Sequence, residues 1–325
     1  MKKALLLLLS ISLLSSVLMA QEHQKVEYLR NDGSRVSMDN KPDFVRIIKE
    51  PDAGSSYSIY QEFYISGDKK AVGMISKYEP IPMYEGKLET FYKDGTLQSV
   101  VNYSDGIPDG DAVYYFSNAA VKKKVQHIKS SKEFLYLNPF SQVLNLQTAK
   151  VIYQADSLNQ VMVKDGSGHA VESAVAFGKP IIEEGNYKNG LKEGLWVAKD
   201  SSGGYWYKEN FKQGELVSGE SGYDGVSYKY TNIEELPMYK AGMEKFNIYF
   251  NQGFPAPPAP YNKTVLYRFI VDRDGKLTDI KIDRKGFYKP MYIGVLRALI
   301  ACENWNPAKQ HGIPVPVTYF LAVPY

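Results

Sequence analysis

Histidine and cysteine, two side chains that commonly carry enzyme chemistry, are sparse in this 325-residue chain. The four histidines, at 23, 127, 169 and 311, are widely separated, and no H-E-x-x-H or other metal-ligand spacing occurs. The single cysteine, Cys302, has no histidine beside it in the sequence, and no G-x-S-x-G nucleophile elbow precedes a helix. The sequence therefore predicts a protein that is not an enzyme, with no catalytic residues, metal site, cofactor or small-molecule substrate. An active site assembled from scattered side chains is the alternative.

The first twenty residues have the layout of a secretory signal peptide. Lys2 and Lys3 precede an apolar run that ends at Ala20, and this run is short for a membrane span. We expect residues 1–20 to be removed on export, which places the protein in the periplasm or cell envelope. Leu18 stands where a second small residue is usual, so an uncleaved inner-membrane anchor is the alternative.

Charge and composition narrow the class of partner. Removal of Lys2 and Lys3 lowers the formal net charge from +3 to +1, far from the basic excess that binding to nucleic-acid phosphates requires. Nucleic acid is therefore not an expected partner. The 26 tyrosines and 14 phenylalanines favour strands, because aromatic rings cover a pleated, half-buried surface well.

A short phrase recurs within residues 61–230, after an N-terminal β region at 21–60. Its clearest copies, Asn102–Gly110 and Asn186–Gly194, both read N-Y-x-[DN]-G-x-x-x-G. Asp-Gly and Asn-Gly favour two-residue hairpin turns, since both central residues of such a turn need a positive φ. Weaker copies recur at a spacing of 24 residues, as between Gly95 and Ala119. The pattern predicts stacked hairpins that share a core.

These phrases resemble the variant MORN repeat of bacterial proteins, over roughly residues 60–120 and 180–225. The resemblance implies a scaffold or interaction surface without catalytic residues. Between the two stretches, the run Lys122-Lys123-Lys124 indicates a solvated strand edge, because lysines protect exposed edges from pairing. An anion site is the alternative.

A different pattern begins near residue 235 and continues to 325. Thr264–Val271 alternates apolar residues on one face, and Asp274-Gly275 then reverses the chain into a second strand. Apolar residues between Met291 and Ile300 recur at helical spacing, and alternation over Val315–Val323 predicts a third strand. A further helix is predicted around Gly242–Asn251, and a proline-rich lead-in at 253–260.

The motifs V-x-x-D-G, W-x-P-A and G-x-P-V occur in this order within that region, ending at Gly275, Ala308 and Val315. Together with the strand, strand, helix, strand order, they resemble the TonB C-terminal domain family over residues 235–325. The resemblance implies a small antiparallel sheet packed on helices, which binds an extended segment, the TonB box of an outer-membrane transporter, along an open strand edge. The motif residues are Asp274, Gly275, Trp305, Pro307 and Gly312.

Binding of this kind is strand addition, in which main-chain groups of an unpaired edge provide affinity. A central strand, or one self-paired in a homodimer, is the alternative, and Trp305 is expected to be a buried anchor between helix and sheet. By resemblance, the peptide-binding edge consists of Val315, Pro316, Val317, Thr318, Tyr319, Phe320 and Leu321.

The predicted fold class is mostly β with an α+β C-terminal domain: a β-hairpin repeat array followed by a small ββαβ TonB-like module. The predicted function is non-catalytic capture of an extended peptide, from an outer-membrane transporter or other envelope protein, in TonB-like transport. Residues 1–20 contain no histidine and no long spacer follows them, so force transmission is not expected. The alternative is a periplasmic scaffold or adaptor whose repeats bind the cell wall or another envelope protein.

Overall fold

The computed structural model describes residues 24–51, 54–78, 82–128, 148–252, 264–282, 289–300, 302 and 305–324. The predicted signal peptide and the proline-rich lead-in lie outside these ranges. The described chain is mostly antiparallel β-structure, which confirms the predicted mostly-β class. It forms two compact units, one from residues 24–128 and 148–168 and one from residue 169 onward. Within the described ranges, each helix is too short or too polar to span a bilayer.

The first unit is a run of sequentially paired antiparallel strands. Strand β1 pairs with β2 and β3, and from β3 onward each strand pairs with the next one as far as β12, whose first two residues belong to this unit. The strands are β1 Gln24–Leu29, β2 Arg35–Val36, β3 Phe44–Lys49, β4 Ser58–Tyr64, β5 Lys69–Lys77, β6 Met83–Phe91, β7 Leu97–Ser104, β8 Ile107–Tyr115, β9 Val121–Ile128, β10 Thr148–Ala155, β11 Val161–Lys164 and β12 Ser167–Ala176, with a 3-10 turn at Met38–Asn40.

The second unit continues the hairpins and then changes character. Strands β13 to β17 pair in chain order, and we call them the β13–β17 sheet. Residues 234–324, which we call the C-terminal module, follow it. The elements are β13 Lys179–Lys188, β14 Leu191–Asp200, β15 Tyr205–Lys212, β16 Glu215–Tyr223, β17 Val226–Tyr230, β18 Glu234–Glu235, β19 Met238–Tyr239, α1 Met243–Gln252, β20 Thr264–Val271, β21 Leu277–Ile282, α2 Lys289–Ile300, β22 Trp305–Asn306, β23 Ala308–Gln310, β24 Ile313–Val315 and β25 Val317–Pro324.

Both clear copies of the repeated phrase are hairpins, as predicted. Asp105 and Gly106 have φ values of 53° and 77° and join β7 to β8, where Ser104 pairs with Ile107. Asn189 and Gly190, at 54° and 82°, join β13 to β14 in the same way. Positive φ at both central residues is the local requirement of these turns.

The predicted 24-residue period also corresponds to a repeated local structure. In the turn after β6, the Gly95 amide donates to the Tyr92 carbonyl at 3.0 Å. In the turn after β8, the Ala119 amide donates to the Phe116 carbonyl at 2.9 Å, and Ala119 adopts a φ of 63° where the earlier copy has glycine. The two turns are therefore equivalent, although the second carries an alanine in a conformation that favours glycine.

The lysine run does not lie at a sheet edge. Strand β9 contains Lys122 to Lys124 and pairs with β8 on one side and β10 on the other. The prediction of an edge was wrong, because alternating residues of an internal strand still reach solvent from one face. Lys122 and Lys124 are two such alternating residues, and both are exposed.

Pro316 interrupts the predicted third strand of the C-terminal module. Val315 belongs to β24 and pairs with Ala308 of β23, whereas β25 begins at Val317 and pairs with β20. A proline has no N–H to contribute to a ladder, so the chain leaves one sheet and enters the other at this residue.

Candidate functional site

Strand β25, which contains most of the predicted peptide-binding edge, is an outer strand of a three-stranded antiparallel sheet. The order of this sheet is β21, β20, β25. The pairing with β20 is continuous from Thr264 opposite Pro324 to Val271 opposite Val317. Among the described residues, β20 is the one strand that pairs with β25. In an outer strand, every second residue directs its main-chain N–H and C=O away from the sheet.

The sequence of β25 is V-T-Y-F-L-A-V-P, which has no charged residue. Proteins usually protect such edges with lysine, with inward-pointing charges or with bulges. A bulge does occur in this sheet, between Arg268 and Ile270, but it interrupts the pairing of β20 with β21. The pairing of β25 with β20, by contrast, is regular throughout.

One face of the sheet is fixed by a compact aromatic core. Tyr267, Phe269 and Val271 of β20 are fully buried. Tyr319 of β25 stacks on Phe269, with ring centroids 5.3 Å apart and an interplanar angle of 24°. Burial of this phenol raises the pKa of Tyr319. The stacked pair holds β25 against β20 from the core side. The remaining buried members of this core are Phe246 of α1, Leu299 of α2, Cys302 and Trp305.

Trp305 lies at the centre of this core and is fully buried. Its indole makes edge-on contacts with Phe246 at 5.0 Å and with Tyr319 at 5.4 Å. Its backbone carbonyl lies against Gly275, so the hairpin turn and the tryptophan, 30 residues apart in the sequence, are in direct contact. Trp305 therefore joins a helix, the hairpin turn and the candidate edge strand.

The other predicted motif residues separate into two locations. Asp274 lies beside Gly275 in the β20–β21 turn, where its amide donates to Asp272 Oδ1 at 2.9 Å. Pro307 follows β22 and is half-buried. Gly312, with a φ of 76°, lies at the tip of the β23–β24 hairpin and packs on β17 instead. The structure thus brings Gly275, Trp305 and β25 together but places Gly312 elsewhere.

The tip of that hairpin is a buried polar contact that the sequence reasoning missed. The His311 side chain is 12% exposed, and its Nδ1 lies 2.9 Å from Glu209 Oε1 and 3.2 Å from the Tyr230 hydroxyl. The imidazole stacks on Tyr207 with centroids 4.3 Å apart and an interplanar angle of 12°. We call Tyr207, Glu209, Ser221 and Tyr230 the His311 cradle. Their spacing in the sequence carries no signal of this contact.

Burial dominates the electrostatics of the cradle. It raises the pKa of Tyr230, and the neighbouring Glu209 carboxylate raises it further. Burial also raises the pKa of Tyr207, with Glu183 as the next cause. Both phenols therefore remain neutral hydrogen-bonding groups.

A second buried carboxylate lies in the first unit. Glu62 accepts hydrogen bonds from Arg46 Nη2 at 2.7 Å, Lys70 Nζ at 2.5 Å and the Tyr60 hydroxyl at 2.6 Å. Burial alone would raise the pKa of this carboxyl, but the bonds from Lys70 and Tyr60 outweigh burial and lower it. The carboxylate therefore has a cation or hydroxyl partner for both of its oxygens inside a packed sheet.

Among the described residues, no group of three or more His, Cys, Asp and Glu side chains lies close enough together to hold a metal ion. No protein-family model matches the chain, and no curated protein matches it. Function is therefore inferred from the geometry of β25 and from the residues that support it.

Proposed function

We propose that this protein is a non-catalytic cell-envelope binding protein whose C-terminal module captures an extended peptide by strand addition to β25. The observation that carries the proposal is the eight-residue, uncharged outer strand with regular pairing on its inner side. A bound peptide would extend the sheet to four strands, and its main-chain groups would provide most of the affinity.

The rigid support of β25 favours this function. Strand addition loses affinity when the receiving edge must first be ordered. Here Tyr319 packs between Phe269 and Trp305, and these contacts support the edge strand from the core side without a partner. Selectivity would come from alternate side chains of the peptide.

The partner we propose is the extended segment of an outer-membrane transporter or another envelope protein, in TonB-like transport. This part of the proposal is supported by the sequence motifs and by the element order, in which β20, β21 and α2 precede β25, with the short strands β22, β23 and β24 between α2 and β25. The ββαβ module and the export signal at residues 1–20 belong to the same proposal. The alternative is a periplasmic scaffold in which the hairpin repeats bind the cell wall.

Calorimetric titration of residues 21–325 with a synthetic TonB-box peptide tests the proposal. Peptides that carry an N-methyl group at successive single positions provide the decisive series. Because alternate N–H groups of an added strand face the receiving edge, N-methylation at alternate positions should weaken binding about tenfold or more, and the intervening positions should have little effect.

Proline variants then identify the edge. Ala322→Pro alters β25 and should reduce binding, whereas Thr278→Pro alters β21, the other outer strand of the same sheet, and should not. Urea unfolding of both variants shows whether each remains folded. A uniform response to N-methylation, or equal loss of binding in both variants, contradicts strand addition to β25. Retention of the whole chain on cell-wall sacculi without peptide binding would favour the scaffold.

A further inference from the structure

The β23–β24 hairpin connects the candidate edge directly to the β13–β17 sheet. Its last residue, Val315, is separated from the start of β25 by Pro316 alone. Its tip, His311-Gly312, lies in the His311 cradle. The hairpin therefore has one end in the peptide-binding module and the other on the repeat hairpins.

Polar contacts at the tip involve both the side chain and the backbone of His311. The imidazole Nδ1 contacts Glu209 and the Tyr230 hydroxyl. The His311 carbonyl accepts a hydrogen bond from Ser221 Oγ at 2.7 Å, and its amide donates to the Ile233 carbonyl at 2.6 Å. Glu209 is 1% exposed and Ser221 is fully buried, so water does not replace these partners while the hairpin is in place.

Apolar packing extends the contact beyond the histidine. Ile313, the first residue of β24, is buried in a core with residues of the neighbouring strands. A β-carbon on Gly312 would lie 3.0 Å from Tyr230 Cδ1 and 3.1 Å from Tyr228 Cβ, so the backbone itself is in close contact with β17. The buried residues around Ile313 are Ala176, Ile181, Ala198, Tyr205 and Tyr207.

We propose that the His311-Gly312 tip is a latch that makes the C-terminal module and the β13–β17 sheet one cooperative unit. Withdrawal of the hairpin would leave Glu209 with the Tyr230 hydroxyl as its hydrogen-bond donor and would expose Ile313. Loss of a hydrogen-bond partner is more costly for a buried group than for an exposed one, so partial undocking is unfavourable. This coupling of the two parts does not require that β25 bind a peptide.

The three tryptophans of the chain allow the two parts to be observed separately. Trp196 and Trp206 lie in the β13–β17 sheet, and Trp305 lies in the core of the C-terminal module. Fluorine NMR of the 5-fluorotryptophan-labelled protein, with signals assigned from single Trp→Phe variants, follows each part during urea unfolding. In the wild type, we expect the Trp196 and Trp305 signals to disappear with the same midpoint.

Breaking the latch should separate these midpoints. For His311→Ala, we expect the Trp305 midpoint to fall about 0.5 M urea or more below the Trp196 midpoint. His169→Ala is the matched control, because His169 is an exposed residue of β12. Glu209→Gln disturbs the same contact from the other side and should produce the same separation, which tests the inference if His311→Ala fails to fold.

A second pair of variants tests the backbone contact. Gly312→Ala and Gly225→Ala both place alanine at a φ near 80°, but Gly225 has open space around it whereas Gly312 faces Tyr230. The Trp305 and Trp196 midpoints should separate in Gly312→Ala and should coincide in Gly225→Ala. Different midpoints in the wild type, or coincident midpoints in both His311→Ala and Gly312→Ala, overturn the latch. Failure of peptide binding with coincident wild-type midpoints would count against the proposed function only.

Discussion

The backbone carbonyl oxygen of Trp305 lies 2.0 Å from the position that a β-carbon on Gly275 would occupy. Gly275 has a φ of 80° and ends the turn between β20 and β21, so the turn packs on the backbone of β22. Two conditions therefore require glycine at this residue: the left-handed conformation and the absence of a side chain. The first arises within the turn itself, and the second arises from Trp305.

Gly275→Ala should lower the free energy of unfolding of the C-terminal module by about 3 kcal/mol or more, because strain at positive φ is added to a clash with backbone that cannot move aside. Gly95→Ala is the matched control, since Gly95 ends an equivalent turn at a φ of 83° with open space around it. That variant should lose about 1 kcal/mol. Urea unfolding of both measures the difference, and equal losses would show that Trp305 does not restrict this turn.

Glu62→Gln should destabilise the first unit by about 3 kcal/mol at neutral pH, because it removes the buried carboxylate that Arg46 and Lys70 share. The folded pKa of Glu62 lies below its ordinary value of 4.5, so its stabilising effect is present above that value and is lost as pH falls through the folded pKa. The gap between variant and wild type should therefore narrow below pH 4.5.

Chemical unfolding at a series of pH values between neutral and acidic conditions measures this gap. Glu184→Gln removes the same charge from an exposed residue and controls for the change in net charge. A gap for Glu62→Gln that stays constant, or that widens toward low pH, would contradict the assignment of a lowered pKa.

Tyr92→Phe should cost about 1 kcal/mol, because the Tyr92 hydroxyl donates to the Tyr115 carbonyl of the next hairpin at 2.8 Å. Tyr64 makes the corresponding bond to the Phe91 carbonyl at 3.0 Å, and Tyr64→Phe should cost about the same. Thermal unfolding measures both losses. Tyr57→Phe, which alters an exposed ring, should change stability by less than about 0.5 kcal/mol. Equal losses of stability in all three variants would show that the Tyr92 and Tyr64 hydroxyls do not stabilise the contact between hairpins.

Cys302 should react slowly with thiol reagents in the folded protein, because it is 3% exposed and belongs to the core around Trp305. We expect labelling by a disulfide reagent to be about a hundredfold or more slower without urea than in unfolding concentrations of urea, which corresponds to an opening free energy of about 3 kcal/mol. Since Cys302 is the only cysteine in the chain, the absorbance change reports this residue directly. Rapid labelling of the native protein would place the thiol at the surface.

Features set by neighbouring residues were predictable from the sequence. The turns at Asp105-Gly106 and Asn189-Gly190 follow from their own preference for positive φ. Alternation over Thr264–Val271 predicted the buried face that contains Tyr267 and Phe269. These signals are local because backbone preference and side-chain period act over a few residues.

Other features depended on which strands became neighbours. The lysines of β9 have the same pattern on an edge strand as on an internal one, so their sequence could not show that β9 is paired on both sides. Similarly, alternation continues through Pro316, although the chain changes sheets there. A period of two identifies a strand but not its partners.

The sequence by itself determined the hairpins, the apolar face of β20 and the absence of local catalytic motifs, because each depends only on residues that are close together in the chain. Only the tertiary structure decided that Trp305 would restrict Gly275 and that His311 would reach Glu209, which is 102 residues away in the chain. His311 lies in a polar turn segment, and Glu209 alternates within an ordinary strand. Their contact arises because chain folding brings a hairpin tip onto a buried carboxylate, and buried polar groups are stable only when such partners meet.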